Sequence, residues 1–161
     1  MPIRKARITD VRPIKKLIDD YMLEGFMLPR PLSELYENIR DFFVLEEDGG
    51  IQGNVGLHIV WEDLAEIKSL VIGKPHRKQG LGKLLIDTCL EEAKKLGVKR
   101  VFALTKIPEF FIKLGFIELD KSELPHKVWA ECIKCPKFPE CDEIAVCYFL
   151  KDEDAPAEIG Q

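Results

Sequence analysis

The chain has 161 residues, 46% of them hydrophobic and 32% charged, with a formal net charge of −4. That length allows one good core and is short for two ordinary domains, and the composition excludes a disordered chain, which would have few apolar residues and unbalanced charge. The negative balance excludes a global attraction to nucleic acid or anionic lipid, so neither partner is expected and any anion must be held by a local basic cluster.

The N-terminal residues "MPIRKARITD" contain no apolar core of signal length. No apolar run approaches the roughly 18–20 residues that span a bilayer, so a soluble, cytoplasmic protein without a membrane partner is expected. Five cysteines, an odd number without a secretory signal, point to reduced thiols rather than a disulfide framework.

"IRKARI" alternates and predicts a short first strand, Ile3–Ile8. Thr9 or Asp10 then caps a helix with Val11, Ile14, Leu17, Ile18, Tyr21 and Met22 on one face, ended by Gly25. A loop with Met27, Pro29 and Arg30 leads to a second helix whose inner face is Leu32, Leu35, Tyr36 and Ile39. From Phe42 the pattern becomes strand-like: "FFVLEE", a turn at Asp48-Gly49-Gly50, "IQGNVGLHIVW", a turn near Glu62-Asp63, and "LAEIKSLVIG". A helix follows with Leu81, Leu84, Leu85, Cys89, Ala93 and Leu96 inward, stopped by Gly97. Then come the strand "VKRVFALT", a short helix between Pro108 and Gly115, the strand "FIELD", a loop rich in Cys and Pro, and a last strand, "EIAVCYFL". The order β α α β β β α β α β β describes one mixed α/β domain over residues 1–150. The acidic tail, residues 151–161, is read as disordered.

Between the third of the meander strands and its helix lies "VIGKPHRKQGLGKLL", which puts three glycines and five basic residues into fifteen positions. A helix N-terminus has unpaired N–H groups and a partial positive charge, so it holds a phosphate without help from a catalytic group. Gly80 and Gly82 let backbone approach such a phosphate, and Arg77, Lys78 and Lys83 add charge. A Walker loop is excluded because Gly82-Lys83 is followed by Leu84. A dinucleotide fingerprint is excluded by the missing third glycine. The bland alternative is a tight strand-to-helix turn with solvated lysines.

Arg77-x-x-Gly80-x-Gly82, placed after "EIKSLVIGKP" and opening an amphipathic helix, resembles the acetyl-CoA pyrophosphate motif of the GNAT (Gcn5-related) N-acetyltransferases. "FFIKLGF" is similar to that family's "FYxKxGF" segment. The resemblance implies the GNAT fold, a central, mixed, mostly antiparallel sheet flanked by helices, with acetyl-CoA as cosubstrate. It places pantetheine and thioester along Leu70, Val71 and Ile72, in a slot made by a β-bulge and two splayed strands. The pyrophosphate falls on the amides of Lys78, Gln79, Gly80, Leu81, Gly82 and Lys83, beside Arg77. "AEIKSLVI", "KRVFALT" and "DKSELPHKVWAECIKCPKFPECDEIA" further resemble the short, single-domain amino-acid N-acetyltransferases of the N-acetylglutamate synthase type, which begin arginine biosynthesis. An amino acid, L-glutamate first, is the acceptor this implies.

An ammonium must lose a proton before it attacks a thioester, so the chemistry needs a general base. Glu66, four to six residues before the thioester positions, resembles the family's basic glutamate; the alternative is a solvated surface carboxylate. The N–H of Val71 or Ile72 would meet the oxyanion. Phe111 stands where many of these enzymes carry a tyrosine acid, leaving Thr105, Tyr148 or water to protonate the thiolate. Two substrate carboxylates call for Arg30 first, then Lys68 and Lys127, each of which could equally be a surface cation. No catalytic metal is implied. His126, Cys132, Cys135 and Cys141 have spacing compatible with structural zinc, the stronger alternative being small apolar residues in a proline-stiffened loop. Cys89 and Cys147 fall on core faces. Edge strands in this fold are open to pairing as a homodimer. The competing readings are transfer to another amine (an antibiotic, a polyamine or a protein N-terminus) and an acyl-CoA sensor without turnover.

Overall fold

A computed structural model describes residues 2–25, 30–124 and 143–150. The loop residues 26–29, the stretch 125–142 with Lys127 and the proposed zinc ligands His126, Cys132, Cys135 and Cys141, and the tail 151–161 lie outside the described residues. The strands are β1 (Ile3–Lys5), β2 (Phe42–Glu47), β3 (Gly50–Trp61), β4 (Leu64–Ile72), β5 (Arg100–Thr105), β6 (Ile117–Leu119) and β7 (Ile144–Phe149). The helices are α1 (Val11–Leu23), α2 (Leu32–Glu37), α3 (Leu81–Leu96) and α4 (Pro108–Lys113). The element order is the one the hydrophobic periods predict. The strands form a sheet in the order β1-β2-β3-β4-β5-β7-β6, mixed because β4 and β5 run parallel while the pairs β1/β2, β2/β3, β5/β7 and β6/β7 are antiparallel. None of the described helices is long and apolar enough to cross a membrane.

The chain divides into two compact units, Met1–His58 with Ile67–Glu92, and Ile59–Glu66 with Ala93–Gln161. In the first, α1 buries Val11, Ile14 and Ile18, three and four residues apart, against Phe42 and Val44 of β2, with Leu35, Ile39 and Val71 completing the cluster. Each such side chain, fully buried, contributes about 1.5–3 kcal/mol relative to exposure. Phe43 and Leu45 alternate to the other face of β2. In the second unit, Phe102 of β5 packs with Val60, Leu64, Leu124, Ala145 and Cys147.

Glycines set the stops that the sequence marks: Gly25, Gly97 and Gly115 have φ of 85°, 84° and 102°, and Asp48-Gly49 turns β2 into β3 with φ of 54° and 74°. Three expectations are corrected. β1 ends at Lys5 rather than Ile8, because Ile8–Asp10 coils into a 3-10 turn. Asp10 accepts the Arg7 N–H at 2.7 Å and two Arg4 N–H groups at 2.8 and 3.1 Å, which takes it away from capping α1. Tyr36, Leu84 and Leu96 were expected inward but are 38%, 44% and 56% exposed, because the buried stripes are narrower than the apolar periodicity; Ile86 takes the inner place on α3.

Candidate functional site

β4 holds the proposed acyl positions. Its ladder to β5 covers only Leu64–Glu66 against Arg100–Phe102. Further along, Ser69 adopts a left-handed φ of 56°, a conformation L-residues avoid in a strand. Its carbonyl accepts a 2.7 Å bond from Asn54 Nδ2 of β3, and its hydroxyl accepts a 2.8 Å bond from Arg30 Nη1. The kink is followed by Leu70, half-buried, Val71, buried, and Ile72, half-buried. β3 comes close to β4 here: a Cβ on Gly53 would lie 2.9 Å from the Val71 carbonyl oxygen.

After Ile72 the chain makes a 3-10 turn, Lys74–His76, and then passes through Lys78 and Gly80 with φ of 65° and 77°. α3 is bonded from Leu84 N–H to Gly80 C=O at 3.3 Å. The N–H groups of Leu81, Gly82 and Lys83 therefore precede the first intrahelical bond and point out of the helix end, as an anion requires. Lys78, Gln79 and Gly80 are exposed beside them.

The basic cluster is partly neutralised. Arg77 donates Nη1 and Nη2 to the two carboxylate oxygens of Glu24, each at 2.9 Å, and Nε to the Ile72 carbonyl at 2.8 Å, with its guanidinium 5.2 Å from the Tyr21 ring centroid. The guanidinium holds the Glu24 carboxyl below the usual carboxylate range, and Glu24 in turn raises the pKa of Arg77. His76 lies 3.7 Å from Glu47 and Lys83 2.7 Å from Asp87. Arg77 is thus placed as a tie between the end of α1 and the turn, while the backbone amides remain the outward donors. Val71, Ile72 and Arg77 share a cleft of about 700 Å³ with Leu17, Asp20 and Glu24 of the α1 side.

Glu66 is only 7% exposed, which removes the reading of it as a solvated surface charge. Arg30 keeps 13% of its side chain exposed, lies 5.3 Å from the Phe42 ring centroid, and donates Nε and Nη2 to Glu34 Oε1 at 2.9 and 2.7 Å. With Nη1 on Ser69, three of the five guanidinium N–H groups are used among the described residues, which leaves two open to a ligand there. Lys68 is half-buried on β4. Phe111 is buried edge-on against Phe110 and Phe116, centroids 5.2 Å away in each case, and offers no hydroxyl. The Thr105 oxygen accepts the Ile107 N–H at 2.9 Å. Cys89 and Cys147 lie in the core as expected, and burial pushes their thiols up to about 12 and about 11.

Sequence reasoning missed Asn54, Ser69, Glu24 and Glu34. Asn54 carried one signal, a carboxamide inside the otherwise apolar "GNVGL" of a strand.

The end of the β4–β5 ladder at Glu66, the left-handed turn and the open helix amides suit a CoA thioester. The chain belongs to the acetyltransferase (GNAT) family, whose model matches residues 12–116. It is 38% identical over 144 residues to an uncharacterised N-acetyltransferase of Chlorobaculum tepidum, covering 89% of this chain and 93% of that one. It is 35% identical over 132 residues to the amino-acid acetyltransferase of Mycobacterium tuberculosis, covering 80% and 75%. Among solved structures, N-acetylglutamate synthase from Neisseria gonorrhoeae, complexed with coenzyme A and N-acetyl-glutamate, superposes with a TM-score of 0.86 at 26% identity. That match covers 93% of this chain, which spans 35% of the gonococcal one.

Proposed function

We propose that the protein transfers the acetyl group of acetyl-CoA to the α-amino group of L-glutamate, the step that opens arginine biosynthesis, with Glu66 as general base. The observation that carries the anionic acceptor is Arg30, a mostly buried guanidinium bonded to Ser69 of the acyl strand, with two N–H groups unused among the described residues and available to a carboxylate. The amino-acid acetyltransferase from Mycobacterium tuberculosis and the N-acetylglutamate synthase from Neisseria gonorrhoeae support the same substrate class.

In this reading the pyrophosphate sits on the amides from Lys78 to Lys83 and the thioester lies along Leu70–Ile72. Glu66 takes a proton from the substrate ammonium, directly or through water, and the freed amine attacks the thioester carbonyl. The C–N bond forms as the carbonyl becomes an oxyanion, which receives the N–H of Val71 or Ile72. The attacking nitrogen, now cationic, loses a second proton to water as collapse breaks the C–S bond. A thiol pKa near 8.5 makes thiolate a tolerable leaving group, so water can return the proton and Phe111 costs little. Lys68 supports the substrate carboxylates beside Arg30.

The test is the pH profile of Glu66→Gln. A drop in kcat of about 10²–10⁴ near neutral pH, shrinking at high pH where the amine deprotonates unaided, is expected from the size of general-base effects. A flat ratio across pH would remove Glu66 from that role. Acetyl-CoA binding without CoA release from any amine would favour the sensor reading, to which Phe111 lends its only support.

A further inference from the structure

Asn54 is a fully buried carboxamide among apolar neighbours. The β2/β3 register pairs it with Val44, so its side chain shares the face of α1 and α2. An amide in such surroundings is costly unless its hydrogen bonds are made. Nδ2 makes one, to the Ser69 carbonyl at 2.7 Å, whereas Oδ1 has no hydrogen-bond partner among the described residues. The side chain is therefore held for its donor.

The donor meets the one residue of β4 with a positive φ. At φ 56° Ser69 turns its carbonyl out of the strand's normal direction, and Asn54 receives it. Gly53 brings β3 close enough for this: a Cβ there would be 2.9 Å from the Val71 oxygen, whereas one at Gly56 would meet the Lys68 oxygen at an ordinary 3.5 Å. The same kink presents Ser69 Oγ to Arg30 Nη1 at 2.8 Å.

We propose that Asn54 is a positioning residue for acetyl transfer: by holding the Ser69 carbonyl it fixes the left-handed kink of β4, which aims the Leu70–Ile72 backbone and seats Arg30. The role rests on the reading of Leu70–Ile72 as the thioester strand. Asn54 itself touches neither substrate.

The experiment is a cycle of Asn54→Leu and Ser69→Gly, read by kcat at saturating substrates, by CoA affinity, and by amide hydrogen exchange at Leu70–Ile72. Glycine adopts φ 56° without restraint, so it lessens the need for the clamp. Asn54→Leu should lower kcat about tenfold or more, in line with the rate lost to small misplacements. It should also speed exchange at Leu70–Ile72 and weaken CoA binding by less than the loss in kcat, because the cradle amides of Lys78–Lys83, which hold the pyrophosphate, are not part of the kink. In the Ser69→Gly background the same substitution should cost clearly less. Equal losses in both backgrounds, or a kcat within about twofold of wild type, would overturn the proposal. If the leucine variant does not fold, Asn54→Val gives the same comparison with a smaller side chain suited to a strand, since it likewise has no donor for Ser69. A wild type that turns over no amine sinks the parent reading. Exchange then decides this one: acceleration confined to Leu70–Ile72 upholds the clamp, and unchanged exchange refutes it.

Discussion

Gly53→Ala adds a single carbon at the closest approach of β3 to β4. The new Cβ would lie 2.9 Å from the Val71 carbonyl oxygen and 3.0 Å from Ile72 Cδ1. Carbon-centred contacts sit comfortably near 3.5–4.0 Å, so the overlap is on the order of half an ångström. The blocking atom is backbone and cannot rotate away, which means the two strands must part. Overpacking of this kind costs about 1–3 kcal/mol. Replacing glycine returns about 0.4–1 kcal/mol through the unfolded chain, leaving a net loss of roughly 1.3 kcal/mol at the midpoints of the two ranges. Because the displaced atom belongs to Val71, the variant should also lose about ten- to a hundredfold in kcat/KM for acetyl-CoA, the penalty of small misplacements in a reacting geometry. Gly49→Ala is the control. A Cβ there meets nothing within 4 Å, but φ is 74°, so it should lose stability through backbone strain and leave acetyl-CoA use unchanged. Urea unfolding with steady-state kinetics on both variants measures this. A Gly53→Ala protein with wild-type stability and wild-type acetyl-CoA constants would refute the close strand contact and the role of Val71 together.

Two further outcomes are expected. Asp10 has its pKa lowered mainly by its hydrogen bonds with Arg4, so its folded value lies below the unfolded one; the stability it contributes is present above the unfolded pKa near 3.9 and is lost as pH falls through the folded value. Asp10→Asn should therefore destabilise at neutral pH by about 1.5–3 kcal/mol, the range for hydrogen bonds to charged groups, and flatten the acid limb of the stability curve; a parallel limb in denaturant titrations would contradict this. Arg77→Gln severs the ties to Glu24 and the Ile72 carbonyl. It should raise KM for acetyl-CoA about three- to tenfold with kcat little changed, as loss of binding shared by ground and transition state does.

The order of elements was legible because it rests on local pattern. Apolar residues at helical spacing marked α1 and α3, alternation marked β1, strand-like runs marked β2 to β4, and glycines at positions 25, 49, 97 and 115 lie where φ is positive. The turn from Lys74 to Gly82 was legible for the same reason, since an open helix end needs only a short stretch of chain. What the sequence hid depends on residues far apart along it. Arg77 reads as a phosphate ligand until Glu24, 53 residues away, is found holding both its Nη groups. Ser69 has no mark of a left-handed residue, and its conformation makes sense only beside Asn54, 15 residues back. Glu66 could not be told from a surface charge by type alone; its burial is a property of the assembled sheet.

The most direct measurement is of CoA release and acetylated product, by thiol assay and mass spectrometry, with acetyl-CoA and, in parallel, L-glutamate, L-glutamine, L-aspartate and spermidine. The account predicts N-acetyl-L-glutamate as the preferred product, with kcat/KM for L-glutamate falling at least about tenfold on Arg30→Ala through the lost carboxylate contact. Preference for spermidine, or glutamate turnover indifferent to Arg30, would contradict it.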